Sequence, residues 1–272
     1  MKMIMCSAIL ISVLSTGVNA LGNNEQVKKG IVDDEAVFFK APFAELKCIP
    51  THREKVTFSR IHPLVFPHEE QSFHVNRIDE NSFESSSDGL VQLKVPAHVP
   101  LKMHAKEVAV RGNLLITSAV GKSISIRGAC FTDNAHIEAR TVQIRSTSAA
   151  ERLSITADSI KLRETAATKI ELHQGAPDEW RLQLRDIQAE EIAIDAPSDS
   201  FMIMRIRLNK WNPLPKLNFL NKEVKGIIAV SGQNPETIET PAGVHVYKCG
   251  YLYKIKNKTS AQIFKELDKR MM

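Results

Sequence analysis

An eight-residue pattern, repeated four times between residues 103 and 194, constrains the fold of this chain more than any other feature. Each copy reads φ-x-Ala-x-x-φ-x-φ, where φ is a large apolar residue. The copies are Met103–Val110, Ile137–Ile144, Ile155–Leu162 and Ile187–Ile194. The last two φ residues are two positions apart, which places both side chains on one face of a β-strand. Because such repeats bury their apolar face only by stacking on one another, the pattern predicts a coiled or layered β array.

The strands between these copies have the same character. Pairs such as Ile124/Ile126 and Leu182/Leu184 repeat the φ-x-φ spacing, and valine, isoleucine and threonine are frequent. No apolar stripe with a period of 3.6 residues persists for three turns, so a helical array is disfavoured. The predicted fold class is mainly β: a single-stranded right-handed β-solenoid or a solenoid-like β-sandwich.

The end of the chain carries the only convincing helix signal. Thr259 and Gln262 form a capping box, and Ile263, Leu267 and Met271 fall on one face of the helix. We expect a short C-terminal helix that caps the last open strand and blocks edge-to-edge association.

The chain divides into five predicted segments. The polar cluster Glu84–Gly89 marks the start of the regular array, and the prolines at 213 and 215 follow its end at Leu208. The segments are a signal peptide (1–20), an irregular β segment (21–88), a repetitive β core (89–208), a second β segment (209–258) and the helix (259–272).

The first 20 residues have the organisation of a secretory signal. Lys2 is followed by the apolar run Ala8–Leu14 and by Val18-Asn19-Ala20, where small residues suit a signal peptidase. The run is shorter than the ~18 residues of a spanning helix. We therefore expect the mature protein to be secreted or to lie in the periplasm or outer envelope.

Charge and cysteine content limit the possible partners. The net charge of +5 is mildly basic, which favours anionic surfaces but is too small for a dedicated nucleic-acid binder. Cleavage of the leader would leave Cys48, Cys130 and Cys249, so one disulfide is possible and its pairing is open. We expect Cys130 to be a buried small hydrophobe.

Five strands are followed at once by an arginine. These arginines are Arg111, Arg127, Arg145, Arg163 and Arg185. If the strands stack in register, the arginines point outwards at the ~4.8 Å spacing of neighbouring strands. A basic stripe of this kind suits an acidic polysaccharide or a phosphate-bearing lipid headgroup. The alternative is that they are surface arginines paired with Glu107, Glu138, Glu164 or Asp186, each pair contributing little to stability.

Sequence motifs of catalysis and cofactor binding are absent. There is no glycine-rich phosphate loop, Gly-x-Ser-x-Gly elbow or Cys-x-x-Cys. The carboxylates that could serve a glycan-active enzyme occupy positions that do not repeat with the strands: Asp158, Glu164, Asp186, Glu190 and Glu191. We predict no enzymatic activity and no cofactor.

A group of histidines near the N-terminus is the best metal candidate. It consists of His52, His62, His68 and His74, with Glu69 and Glu70 between them. Their spacing does not place two ligands on one helical face, and Pro63 and Pro67 forbid a helix there. We predict solvated loop histidines and no metal site.

The repeated phrase, with turns such as Arg111-Gly112-Asn113 and Arg127-Gly128-Ala129, resembles the rungs of bactofilin-type β-helices over residues 90–208. It is equally similar to the putative-adhesin β-solenoids of bacterial envelope proteins, and the secretory leader favours the adhesin comparison. This resemblance implies a non-enzymatic structural or adhesin-like module of the cell envelope that can self-associate through its ends.

Two alternative functions follow from other comparisons. The segment Leu153–Leu162 is also similar to phrases in the lipopolysaccharide-transport β-jellyroll family, which would imply a lipid carrier. A glycan-active β-helix enzyme is the third alternative. A carrier needs an apolar groove open between two sheets, whereas a structural solenoid is packed solid.

Overall fold

The structure, a computed structural model, describes residues 28–30, 36–61, 75–78, 81–86, 89–149, 151–176, 179–208, 213–231 and 238–248. Within these residues the protein is mainly β with a large sheet, which confirms the mainly β part of the predicted fold class, and no helix occurs among them. A helix that could span a membrane is likewise absent from the described part of the chain. The predicted signal peptide (1–20) and capping helix (259–272) lie outside the described residues.

The described residues form 18 strands. Their bounds are β1 (Lys28–Gly30), β2 (Val37–Thr51), β3 (Val56–Ile61), β4 (Val75–Arg77), β5 (Ser82–Ser85), β6 (Gly89–Pro96), β7 (Pro100–Arg111), β8 (Leu115–Arg127), β9 (Cys130–Ala149), β10 (Arg152–Thr156), β11 (Ser159–Ala166), β12 (Lys169–His173), β13 (Glu179–Arg185), β14 (Glu191–Asp195), β15 (Phe201–Arg207), β16 (Lys216–Phe219), β17 (Lys225–Ser231) and β18 (Val244–Lys248).

The chain forms two compact units, residues 1–135 and 136–272. In the first unit, the long strand β2 pairs in parallel with β5, β6 and β7, and β7 pairs in parallel with β8. Strands β3 and β4 add antiparallel pairs to β6 and β5. Strand β2 of the predicted N-terminal segment thus pairs with β6 and β7 of the predicted core.

Aromatic side chains fill one part of the first unit. The ring of Phe58 stacks on Phe39 with centroids 5.1 Å apart and lies 4.9 Å from the ring of Phe83. All three are buried, and offset ring pairs of this kind add to the stabilisation from apolar burial. These contacts pack β2, β3 and β5 against one another.

The second unit arranges its strands in two columns of parallel pairs. The first column is β9, β11, β13, β15, β17 and β18, in that order. The second column is β10, β12, β14 and β16. Up to β17 each strand pairs with the next but one along the chain, so the chain alternates between the columns. Both columns continue beyond Leu208, through β16, β17 and β18.

Period-two alternation explains the core of the second unit. Ile160 and Leu162 are buried, whereas Lys161 between them is exposed. The other apolar side chains that the sequence assigns to the interior are also buried, each at most 1% exposed: Ile144, Ile155, Ile192 and Ile194. The predicted inward face of these strands is confirmed.

Trp180 departs from the sequence-based expectation. The pattern His173–Trp180 predicts a loop that contains an aromatic residue, but Trp180 lies in β13 and is fully buried. Its indole Nε1 donates a hydrogen bond of 2.7 Å to the carbonyl oxygen of Ala157. The indole can be buried beside the start of β13 because its one polar atom, Nε1, has a hydrogen-bond acceptor there.

The cysteines differ from expectation in their burial. Cys48 is the fully buried thiol, with its Sγ 3.4 Å from Sδ of Met103, and burial raises its pKa. Cys130, predicted as buried, is only half-buried at the start of β9, where its Sγ lies 3.4 Å from Oδ1 of Asn113. Cys48 is a free thiol, and Cys249 lies outside the described residues.

Candidate functional site

Each of the five predicted arginines is the residue before a corner with positive φ. Arg111 and Arg127 precede Gly112 and Gly128, whose φ angles are 92° and 73°. In the second unit the corner residue is not glycine: Ser146, Glu164 and Asp186 each have φ of 52°. The left-handed region costs a non-glycine residue roughly 1–2 kcal/mol, so these corners need compensating contacts.

The corner breaks the alternation of the strand. Ile144 points inwards and Arg145 outwards, but Ser146 is also exposed, and Thr147 is the next buried residue. The side chain of the residue with positive φ therefore lies on the outer surface, together with that of the arginine before it. Glu164 and Asp186 occupy the same place after Arg163 and Arg185. Each arginine of this unit thus has a polar neighbour beside it.

In the second unit, the strand register aligns four arginines. Arg163 of β11 is the register partner of Arg145 on one side and Arg185 on the other. Arg185 is in turn the partner of Arg207. Neighbouring strands lie about 4.8 Å apart. We call Arg145, Arg163, Arg185 and Arg207 the arginine ladder.

Sequence reasoning missed Arg207, although its signal was present. Arg207 follows Met204 and Ile206 as the other arginines follow their φ-x-φ pairs. The two remaining predicted arginines, Arg111 and Arg127, are register partners of each other in the first unit. Both side chains are exposed, and among the described residues neither has an ion-pair partner.

Two corner carboxylates contact the ladder. The Nε of Arg163 donates a hydrogen bond of 2.8 Å to Oε1 of Glu164, and the Nε of Arg145 lies 3.9 Å from its Oε2. Arg185 donates from Nε to Oδ2 of Asp186 at 3.3 Å. The alternative in which arginines pair with Glu164 and Asp186 therefore holds for three of the four ladder residues.

Glu164 is held as an anion. A hydrogen bond of 2.6 Å from Oγ of Ser146 is the main cause that lowers its pKa, and Arg163 and Arg145 lower the pKa further. The carboxylate therefore bridges two successive corners of the first column. An acid with a lowered pKa is a poor proton donor, so this carboxylate does not suit general acid catalysis.

Additional cations share the outer face with the ladder. Lys161, Gln183 and Arg205 form the next row in register, and Arg181 lies in the row beyond. Lys161 and Arg207 are exposed, and neither has an ion-pair partner among the described residues. Arg181 contacts Glu179. We call the ladder together with Lys161, Arg181 and Arg205 the basic face.

Sequence reasoning did not assign Lys161, Arg181 or Arg205 to a site. Each alternates with buried apolar residues in its own strand, which predicts an outward side chain. Their common row depends on the pairing of β11, β13 and β15, and the sequence does not specify that pairing.

A second charged cluster lies on the second column. Glu171 is only 8% exposed, and its carboxylate accepts hydrogen bonds from Nε of Arg152 at 2.7 Å and contacts Nζ of Lys169 at 3.2 Å. Burial raises the pKa of Glu171, but the hydrogen bonds from Arg152 and Lys169 outweigh it and lower the pKa. His173 links this cluster to Asp195 at 3.2 Å. These contacts tie β10, β12 and β14 together.

The carboxylates weighed for catalysis are largely held by cations. Besides Glu164 and Asp186, Asp158 lies 3.9 Å from Arg140, and Glu191 lies 3.5 Å from Lys169. Glu190 is exposed. Each of the four paired carboxylates lies within 3.9 Å of a cation, which suits structural ion pairs better than an acid and base acting together.

The histidine group lies mostly outside the described residues. His52 is exposed in the turn after β2, and His62, His68, His74, Glu69 and Glu70 are not described. Across the described residues, no group of three or more histidine, cysteine, aspartate or glutamate side chains is arranged to hold a metal ion.

Comparisons of the chain with protein-family models, curated proteins and solved structures found no match.

Proposed function

We propose that this protein is an exported, non-enzymatic structural or adhesin-like module of the cell envelope, which contacts acidic glycan or anionic lipid through its basic face. The observation that carries the proposal is the register of Arg145, Arg163, Arg185 and Arg207 on four neighbouring strands. Cations aligned on a rigid sheet are a surface that fits repeated anionic groups.

The strand pairing supports the β-solenoid part of the proposal. A chain that alternates between two columns of parallel strands returns to the first column once per repeat. Each repeat then contacts mainly its neighbours, as in repeat proteins generally. The open ends of such an array are the surfaces through which copies would self-associate.

The buried interior favours a packed module over a lipid carrier. An apolar groove that admits lipid exposes part of its lining to solvent. The side chains on the inner faces of both columns are almost completely buried, with Ile160 at 0% and Leu182 at 1% exposure in the first column and Ile155 and Ile170 at 0% in the second. The described interior of the second unit therefore resembles a filled core.

The charge balance of the face favours anion binding over mere solvation. Glu164 and Asp186 each neutralise part of the ladder, but Lys161 and Arg207 carry charge that no described carboxylate compensates. A surplus of positive charge on one face attracts polyanions over the screening distance of ~8 Å.

The export part of the proposal rests on the leader pattern of residues 1–20. The measurement for it is the intact mass of the protein recovered from the envelope fraction. We expect a chain that begins near Leu21. A mature chain that retains Met1 would exclude cleavage of the leader.

The binding proposal is tested by retention on an immobilised acidic polysaccharide at low salt. Replacing Arg145, Arg163 and Arg185 by glutamine should weaken retention strongly, and raised salt should weaken wild-type retention as well. The matched control replaces Lys47, Lys94 and Lys102 of the first unit by glutamine, which gives the same change in charge without altering the ladder. Equal retention of the two triple variants would reject the ladder as the binding surface.

A further inference from the structure

We propose that Glu164 and Asp186 are positioning residues that orient Arg163 and Arg185 of the ladder as bidentate donors for a linear acidic polysaccharide lying across the strands, with about one carboxylate per strand. This inference rests on the proposed function and specifies its ligand. Glu164 and Asp186 are negatively charged, so their charge alone would oppose the binding of an anion.

The first argument is which nitrogen each carboxylate occupies. Glu164 accepts from Nε of Arg163, and Asp186 accepts from Nε of Arg185. Glu164 also faces Nε of Arg145 at 3.9 Å. For Arg163 and Arg185 the inner nitrogen of the guanidinium is hydrogen-bonded to the corner carboxylate, whereas Nε of Arg145 has no hydrogen-bond partner among the described residues. The two terminal nitrogens of Arg163 and of Arg185 donate no hydrogen bond to the described residues, so they remain to bind a carboxylate bidentately.

The second argument is that the corner residues are fixed themselves. Their φ of 52° lies in the left-handed region, a restricted conformation for a residue other than glycine. Ser146 donates to Oε2 of Glu164, so this carboxylate is held from the preceding corner as well. Fixed carboxylates restrict the rotation of the arginines beside them, which lowers the entropy lost when a ligand binds.

The third argument is the direction of the ladder. The four arginines follow one another across β9, β11, β13 and β15, perpendicular to the strands. They span three strand spacings, or about 14 Å. The spacing of the ladder fits a polymer whose anionic groups repeat at a similar interval, as in a polymer of uronic acids. A lipid surface would contact the exposed cations without regard to this order.

The experiment compares oligogalacturonates with two, four and eight carboxylates by titration calorimetry on the full chain. We expect affinity to rise up to about four carboxylates and then to level off. The decisive variant is Glu164→Gly with Asp186→Gly, because glycine accepts the positive φ and removes only the carboxylates. It adds two units of positive charge, so attraction by charge alone predicts tighter binding. Positioning predicts binding about tenfold weaker.

A second variant keeps the test decisive if the glycine corners unfold. Arg163→Lys with Arg185→Lys preserves the charge but not the bidentate geometry, and we expect a similar loss of affinity. Binding of either variant that equals the wild type would overturn the positioning role, while leaving anion binding intact. Binding to vesicles of phosphatidylglycerol and phosphatidylcholine but not to oligogalacturonate would overturn the glycan as ligand. Binding to neither would overturn the proposed function itself.

Discussion

Arg163 and Glu164, adjacent in sequence, both point outwards from β11, and the Nε of the arginine donates a hydrogen bond of 2.8 Å to the carboxylate. Side chains of adjacent residues in a regular strand point to opposite faces. The positive φ of Glu164 brings the two together. The contact at this corner orders the side chain of Arg163 on the outer surface.

The positive φ of Asp186 predicts that glycine destabilises the protein less than alanine at this position, the reverse of the usual order. Asp186→Ala should destabilise the protein by about 1 kcal/mol more than Asp186→Gly, because alanine is strained at φ of 52°. At Gln183, within β13, the order should be opposite, with glycine roughly 0.5–1 kcal/mol worse than alanine. Urea unfolding of the four variants measures both differences. The same order at both positions would contradict the corner geometry.

The inward face of β11 predicts a contrast between neighbouring residues. Ile160→Ala removes a fully buried side chain and should cost about 2–5 kcal/mol in the free energy of unfolding. Lys161→Ala, at an exposed position, should cost less than about 0.5 kcal/mol. Similar losses of melting temperature for the two variants would mean that the strand register is wrong.

The period-two pattern allowed much of this fold to be predicted from sequence. Residues such as Ile160 and Leu162 are specified by alternation alone. The corners at Ser146, Glu164 and Asp186 were not recognised, because no glycine marks them and other residues rarely take positive φ. The grouping of Arg181 and Arg205 depends on which strands pair, and loop lengths decide that. Trp180 was misassigned because the glycine and proline before it indicate a loop, although the chain re-enters the sheet at Glu179.

The Glu171 cluster predicts a pH-dependent contribution to stability. The pKa of Glu171 is lowered in the folded state, so its stabilisation is present above the unfolded pKa of roughly 4.3 and is lost as pH falls through the folded pKa. Glu171→Gln should therefore cost about 1–3 kcal/mol at pH 7 and progressively less below about pH 4.3. Glu190→Gln, at an exposed position, is the control. A cost that is constant between pH 7 and pH 3 would contradict the ionic role of Glu171.

The buried indole predicts a specific loss on conservative substitution. Trp180→Phe keeps an aromatic ring but removes the donor to the carbonyl oxygen of Ala157, and should cost about 1–3 kcal/mol. Tryptophan fluorescence of a Trp211→Phe protein, which isolates Trp180, should show a blue-shifted emission that solutes quench poorly. Efficient quenching of this emission by iodide would contradict the burial of Trp180.

The most direct test of the account is arginine footprinting with phenylglyoxal, read by mass spectrometry with and without an acidic polysaccharide. The account predicts that the polysaccharide protects Arg145, Arg163, Arg185 and Arg207 together, while Arg152 on the second column reacts equally in both samples. Protection of Arg152 with no protection of the ladder would contradict the central claim that the aligned arginines form the binding surface.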